Sequence, residues 1–152
     1  MTPYLHYFKA HEFKRGGEQW LVDMSPRLLV MLDSLRNMWR KPIMISKDPG
    51  AIGRFMGESL SQHNITKWGE VRAVDVLPDG VITRDDANRF LMLATDVGFT
   101  GIGLYLDWAS GVGFHLDVRI DRKPGSPATW GRVSSEAGPR YVTLDEALER
   151  FR

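Results

Sequence analysis

The sequence predicts an α+β domain from three features: capped segments with apolar residues at helical spacing, two strand-like runs joined by a Gly-rich hairpin, and segregation of helices from strands along the chain. Ser25-Pro26 forms an N-cap followed by proline at the first helical position, and Leu28, Leu29, Leu32, Leu35, Met38 and Trp39 then recur at helical spacing. This helix is expected to run to about Arg40, with Pro42 as its stop. Ile43-Met44-Ile45-Ser46 reads as a short buried strand that enters the Gly/Pro-rich loop Lys47-Asp48-Pro49-Gly50. Glu70 to Val76 alternates apolar and polar residues, as a second strand would, with Asp75 near its end and Pro78-Asp79-Gly80 as the turn beyond it. Thr83 and Asp86 have capping-box spacing ahead of a helix carrying Ala87, Phe90, Leu91, Ala94 and Val97, and Gly98 closes it. Gly101 to Leu106 and Phe114 to Ile120 form the hairpin pair. Thr143, with Glu146 three residues on, starts a last short helix. The expected architecture is a small antiparallel sheet with helices packed on it, in one domain spanning residues 1–152.

At 152 residues, with no cysteine, the chain needs no staples to build a core, since a domain of this size buries roughly two thirds of its unfolded surface. Its 20 basic and 19 acidic residues are spread along the sequence, so no basic face points to nucleic acid. The N-terminal Met1 to Phe8 lacks a charged segment followed by an apolar one, and no apolar run approaches the roughly 20 residues of a membrane span. The expectation is a protein synthesised in a cytoplasm without a signal peptide, with no membrane partner.

Three short segments carry the chemistry: Ser61-Gln62-His63, Val71-Arg72-Ala73-Val74-Asp75 and Phe114-His115-Leu116-Asp117-Val118-Arg119. Two His and one Asp converging on one Zn²⁺ would leave a fourth position for an activatable water, as open hydrolytic sites do, whereas closed structural sites are typically sulfur-rich. Taken singly, each of these residues has an ordinary alternative: an interior histidine in a Phe-His-Leu strand, an Asp capping a strand end. His6 and His11 fit packing roles better, because His11-Glu12 lacks the second His of a helical zinc motif.

The run His6 to Phe13, the helix Pro26 to Trp39, the strand Lys41 to Ser46, and the His, Ala-x-Asp and Phe-His-x-Asp-x-Arg elements occur in an order that resembles the D-Ala-D-Ala carboxypeptidase-like zinc peptidases. That family includes VanY-type carboxypeptidases, L-alanyl-D-glutamate endolysins and hedgehog-type domains, and its small phage-associated branch is the most similar. The resemblance covers nearly the whole chain. It implies a hedgehog/carboxypeptidase-like fold and a Zn²⁺-dependent hydrolase of peptidoglycan stem peptides, with His63, Asp75 and His115 as metal ligands. Bacterial peptidoglycan would be the partner, and phage tail proteins a further one if the chain is a virion component acting at the cell wall. Two departures stand out. The family's tight Ser-x-His-x-x-Gly-x-Ala-x-Asp spacing is lengthened here by the loop Asn64 to Gly69, and the acidic base that many members place three residues before the last His is replaced by Val112.

Hydrolysis needs a group that moves the proton of the attacking water to the leaving amine. Glu70, Asp107 and Asp117 are the acids on offer. Asp117 lies two residues after His115 and so shares its strand face, as proton acceptor or as a partner of the imidazole; Glu70 points to the face opposite Asp75 unless the strand bulges. Arg54, Arg72 and Arg119 are candidate clamps for a substrate carboxylate, or else solvated surface charges. Lys47 lies close to where the family presents a substrate-binding Arg, with a less geometric point charge. Tyr105, Trp108 and Trp130 have two readings, groove lining or core. The competing functional reading is a structural or wall-binding phage tail component of the same fold, without catalysis.

Overall fold

The computed structural model describes residues 1–151. A short hairpin, β1 (Lys14–Arg15) and β2 (Glu18–Gln19), turns on Gly16-Gly17 and precedes α1 (Pro26–Trp39). Ser25 Oγ accepts from Leu28 N, and the helix ends where Arg40 turns left-handed at φ 62° ahead of Lys41-Pro42. There follow β3 (Ile43–Ile45), a single turn α2 (Ile65–Trp68), β4 (Ala73–Pro78), α3 (Arg84–Val97), β5 (Gly101–Tyr105), β6 (Gly113–Asp117), β7 (Ala128–Val133), β8 (Arg140–Val142) and α4 (Leu144–Arg150). The expected capping boxes form: Thr83 Oγ1 accepts from Asp86 N while Asp86 Oδ2 accepts from Thr83 N at 2.8 Å, and Thr143 Oγ1 accepts from Glu146 N.

The chain is α+β, but its main sheet is larger than expected and mixed. Six strands run in the order β3-β4-β6-β5-β7-β8, with β5 and β7 parallel and every other pair antiparallel. The parallel pair arises because β7 returns beside β5 after the excursion from 118 to 127, on a segment whose Gly and Pro content hides a strand. β4 starts at Ala73, not Glu70, because the preceding backbone is paired elsewhere: Val71 N donates to Asp23 O and Arg72 N to Gln62 O. Asp75 is therefore in mid-strand.

Pleating sends alternate residues to opposite faces. One face carries Val74, Val76, Ile102, Leu104, Phe114, Leu116 and Val133, all buried under helices. Trp39 of α1 meets Phe90 of α3 edge-on at 5.3 Å, and Phe90 lies 4.5 Å from Phe114 of β6, so helix, helix and sheet share one core. Gly131 lets α4 close on β7, since a Cβ there would stand 2.4 Å from Ala147 Cβ. The opposite face of the same strands carries Asp75, His115, Asp117, Tyr105, Trp130 and Arg132.

Candidate metal centre

Asp75 and His115 face one another as a register pair of β4 and β6, which fixes both side chains on the helix-free face. His63 arrives from the loop between β3 and β4. That loop is tied down at its base, with Arg54 N donating to His63 O at 2.9 Å and Ile65 N donating to Arg54 O at 3.0 Å. Asn64, fully buried, holds the rest: its Oδ1 accepts from Met56 N and Thr66 N, and its Nδ2 donates to Gly57 O and Ser59 O. The long interval between His63 and Asp75 is thus a built turn, and it brings the imidazole back over the sheet.

His63 Nε2, Asp75 Oδ1 and His115 Nδ1 form a triangle with every side 3.2 Å. Atoms so spaced lie about 1.8 Å from their common centre, within the roughly 2.0–2.1 Å of zinc–nitrogen bonds, so the three could hold one such ion together. All three residues are buried and could hold one metal ion. Both imidazoles are oriented from behind. His63 Nδ1–H donates to Ile52 O at 2.7 Å, which leaves Nε2 as the ligand atom, and His115 Nε2–H donates to Asp117 Oδ2 at 2.7 Å, which leaves Nδ1.

Asp117 is itself fully buried and paired: its Oδ1 accepts from Arg119 N and Nε, its Oδ2 from Arg119 Nη2. Burial opposes its ionisation, but the Arg119 and His115 hydrogen bonds outweigh that and hold it well below the usual carboxylate range. Asp75 is depressed likewise, burial being outweighed by its contacts with the His63 and His115 imidazoles. Burial lowers the proton affinity of His115, yet hydrogen bonds to Asp117 and Asp75 win and push it up to about 9.

Two glycines of β5 make room for this arrangement. A Cβ on Gly101 would stand 2.2 Å from Asp117 Oδ1, and one on Gly103 would stand 2.5 Å from Trp130 Nε1 and 2.8 Å from Tyr105 Cε2. His115 opens on a groove of about 370 Å³ lined also by Leu60, Ser61, Gln62, Tyr105, Arg119, Trp130 and Tyr141.

The other candidates divide. Arg54 reaches the centre, Nη2 3.8 Å from Asp75 Oδ2. Arg119 is bound to Asp117 and lies over the Trp130 ring at 5.0 Å, so it anchors rather than clamps. Glu70 and Arg72 pair with each other at 3.1 Å beside Trp68, and Asp107 pairs with Arg132 at 3.1 Å. Neither pair lines the groove. Lys47 lines a separate cavity with His11, Glu12 and Arg15. Val112 is half-buried against the core and lines a separate pocket with Pro42, Met44 and Leu77. Of the aromatics, Tyr105 and Trp130 line the groove, while Trp108 stacks on Tyr105 at 4.8 Å. Asn64 and the two glycines were missed from sequence; the Gly-x-Gly at alternating positions of a strand was the signal for the latter.

No family model matches this chain, and neither the characterised proteins nor the solved structures contain a match to it.

Proposed function

We propose that this chain is a zinc-dependent hydrolase of amide bonds in peptidoglycan stem peptides. The observation that carries the reading is the 3.2 Å triangle of His63, Asp75 and His115 at the wall of a groove, each imidazole oriented by a hydrogen bond on its other nitrogen. Nitrogen and carboxylate donors without sulfur suit a catalytic zinc, which when bound supplies Lewis acidity and an acidified water. Arg54 sets a partly exposed guanidinium beside Asp75, a charge that would suit a substrate carboxylate. The stem-peptide substrate, the hedgehog/carboxypeptidase-like fold and a phage origin, as endolysin or tail-associated lysin, rest on the resemblance of the sequence elements.

One observation favours a second reading, a wall-binding tail component that uses zinc only for stability. Among the described residues, none of Glu70, Asp107 and Asp117 lines the groove, and Val112 stands where many relatives of the resembled family carry a base. Digestion of purified muropeptides by zinc-loaded protein separates the two. Release of free D-alanine or new amino termini, stopped by a chelator, is the expected result; no release across several wall chemistries, from protein carrying full zinc, would reject the hydrolase and favour the second reading.

A further inference from the structure

The groove beside the metal triangle has a hydrogen-bond donor that none of the roles above uses. Tyr105 belongs to the register pair next to that of His115 on the same sheet face, and its ring leans back over Gly103, the residue paired with His115. It is backed by Trp108, stacked at 4.8 Å, and Tyr141 meets it edge-on at 6.5 Å. Tyr105 is only 8% exposed, yet it lines the groove together with His115. Trp130 Nε1–H donates to the Tyr105 hydroxyl at 3.0 Å, occupying one lone pair. An indole N–H can only donate, so the bond turns the phenolic proton away from Trp130. The phenolic proton is thus left for another acceptor, which a ligand in the groove that Tyr105 lines would offer.

We propose that the Tyr105 hydroxyl is the groove's hydrogen-bond donor to an anionic or carbonyl oxygen held at the His63–Asp75–His115 centre. For a hydrolase, and resting on that reading, the oxygen is that of the scissile amide, and the donor strengthens its hold as negative charge develops there. No proton leaves the phenol, so the role adds nothing to the proton balance of hydrolysis. Burial first, with the neighbouring Tyr141 adding to it and the Trp130 hydrogen bond opposing, keeps the phenol in its donating form throughout the neutral range. The Gly101-x-Gly103 pattern of β5 then has one purpose at both positions: it lowers the strand surface so that Asp117 can reach His115 and Tyr105 can reach the groove.

The test uses the full chain loaded with cobalt and acetohydroxamate as the probe, followed by the visible d–d bands. Tyr105→Phe should weaken acetohydroxamate about tenfold, the scale of one charge-assisted hydrogen bond, with metal content and the probe-free spectrum unchanged. Tyr4→Phe, at an exposed tyrosine away from the groove, should stay within about twofold of the parent by the same measure. Should Tyr105→Phe not fold, Gly103→Ala, whose Cβ meets the Trp130 indole that bonds the phenol and then the phenol ring itself, is expected to give the same loss. On muropeptides, Tyr105→Phe should lower kcat at least about tenfold with KM little changed, the pattern of an interaction made in the transition state. Acetohydroxamate weakened in Tyr105→Phe while the parent cleaves no muropeptide would support the donor and reject the hydrolase reading. Undiminished acetohydroxamate affinity in Tyr105→Phe, or an equal loss in Tyr4→Phe, would overturn the proposal whatever the parent cleaves.

Discussion

Replacing Asp117 by Asn should change zinc affinity in opposite directions at the two ends of the pH range. Asp117 does two things to His115: it accepts the Nε2–H at 2.7 Å, and together with Asp75 it pushes the imidazole's proton affinity up to about 9. The first effect helps the metal, because carboxylates that orient a ligating imidazole typically contribute about 10- to 100-fold in affinity. The second hinders it below pH 9, because the ion must displace a proton from Nδ1. At pH 7 that competition weakens the parent by roughly a hundredfold, two pH units at tenfold each. In Asp117→Asn the buried charge is gone and the imidazole falls back toward its ordinary value, so the competition nearly disappears. The two effects then cancel near pH 7. Zinc affinities measured with chelator-buffered metal from pH 6 to 9.5 should show the variant equal to or tighter than the parent at the acid end. At the alkaline end it should be about 10- to 100-fold weaker. A ratio of affinities that stays constant across the range would refute the coupling, and a ratio of one throughout would remove Asp117 from the site altogether.

The parent should carry about one zinc per chain by elemental analysis, and His115→Ala should lose it, since two of the triangle's three sides end on His115 Nδ1. Metal-free protein should lose stability as pH rises from about 6.5 to 9. A histidine raised to about 9 stabilises fully below its unfolded value and not at all above its folded one, a loss of at most about 3 kcal/mol in urea unfolding. The depressed Asp75 and Asp117 work the other way, their contribution vanishing in acid, and bound zinc should abolish the alkaline loss because His115 then has no Nδ1 site for a proton. Gly101→Ala should weaken zinc at least about tenfold at alkaline pH while leaving the fold intact, because the new Cβ meets the Asp117 carboxylate at 2.2 Å and drives it off His115.

Local chemistry was legible in the sequence wherever it is decided within a few residues. The Ser25, Thr83 and Thr143 caps, the Gly98 terminus and the hairpin of β5 and β6 all fall where turn and cap residues place them, because each is closed by hydrogen bonds between near neighbours. What failed were elements without such local signals. β7 and β8 exist because β5 and α4 offer them an edge and a surface, and the α2 turn exists because Asn64 closes it. Lys47 and Arg72, chosen for charge and proximity in sequence, are drawn instead to a separate cavity and to Glu70.

By itself the sequence determined the donor set, two imidazoles and a carboxylate without sulfur, and the shared strand face of His115 and Asp117 that follows from a spacing of two. Only the tertiary structure decided that the donors converge. His63 is twelve residues from Asp75 and His115 a further forty, and their meeting at 3.2 Å depends on the antiparallel register of β4 against β6 and on the Asn64-closed turn. It also decided that Asp117, buried between Arg119 and His115, orients the His115 imidazole rather than standing free in the groove. Sequence spacing sets which face a side chain takes, whereas what stands opposite that face is set by long-range pairing and by the packing that fixes it.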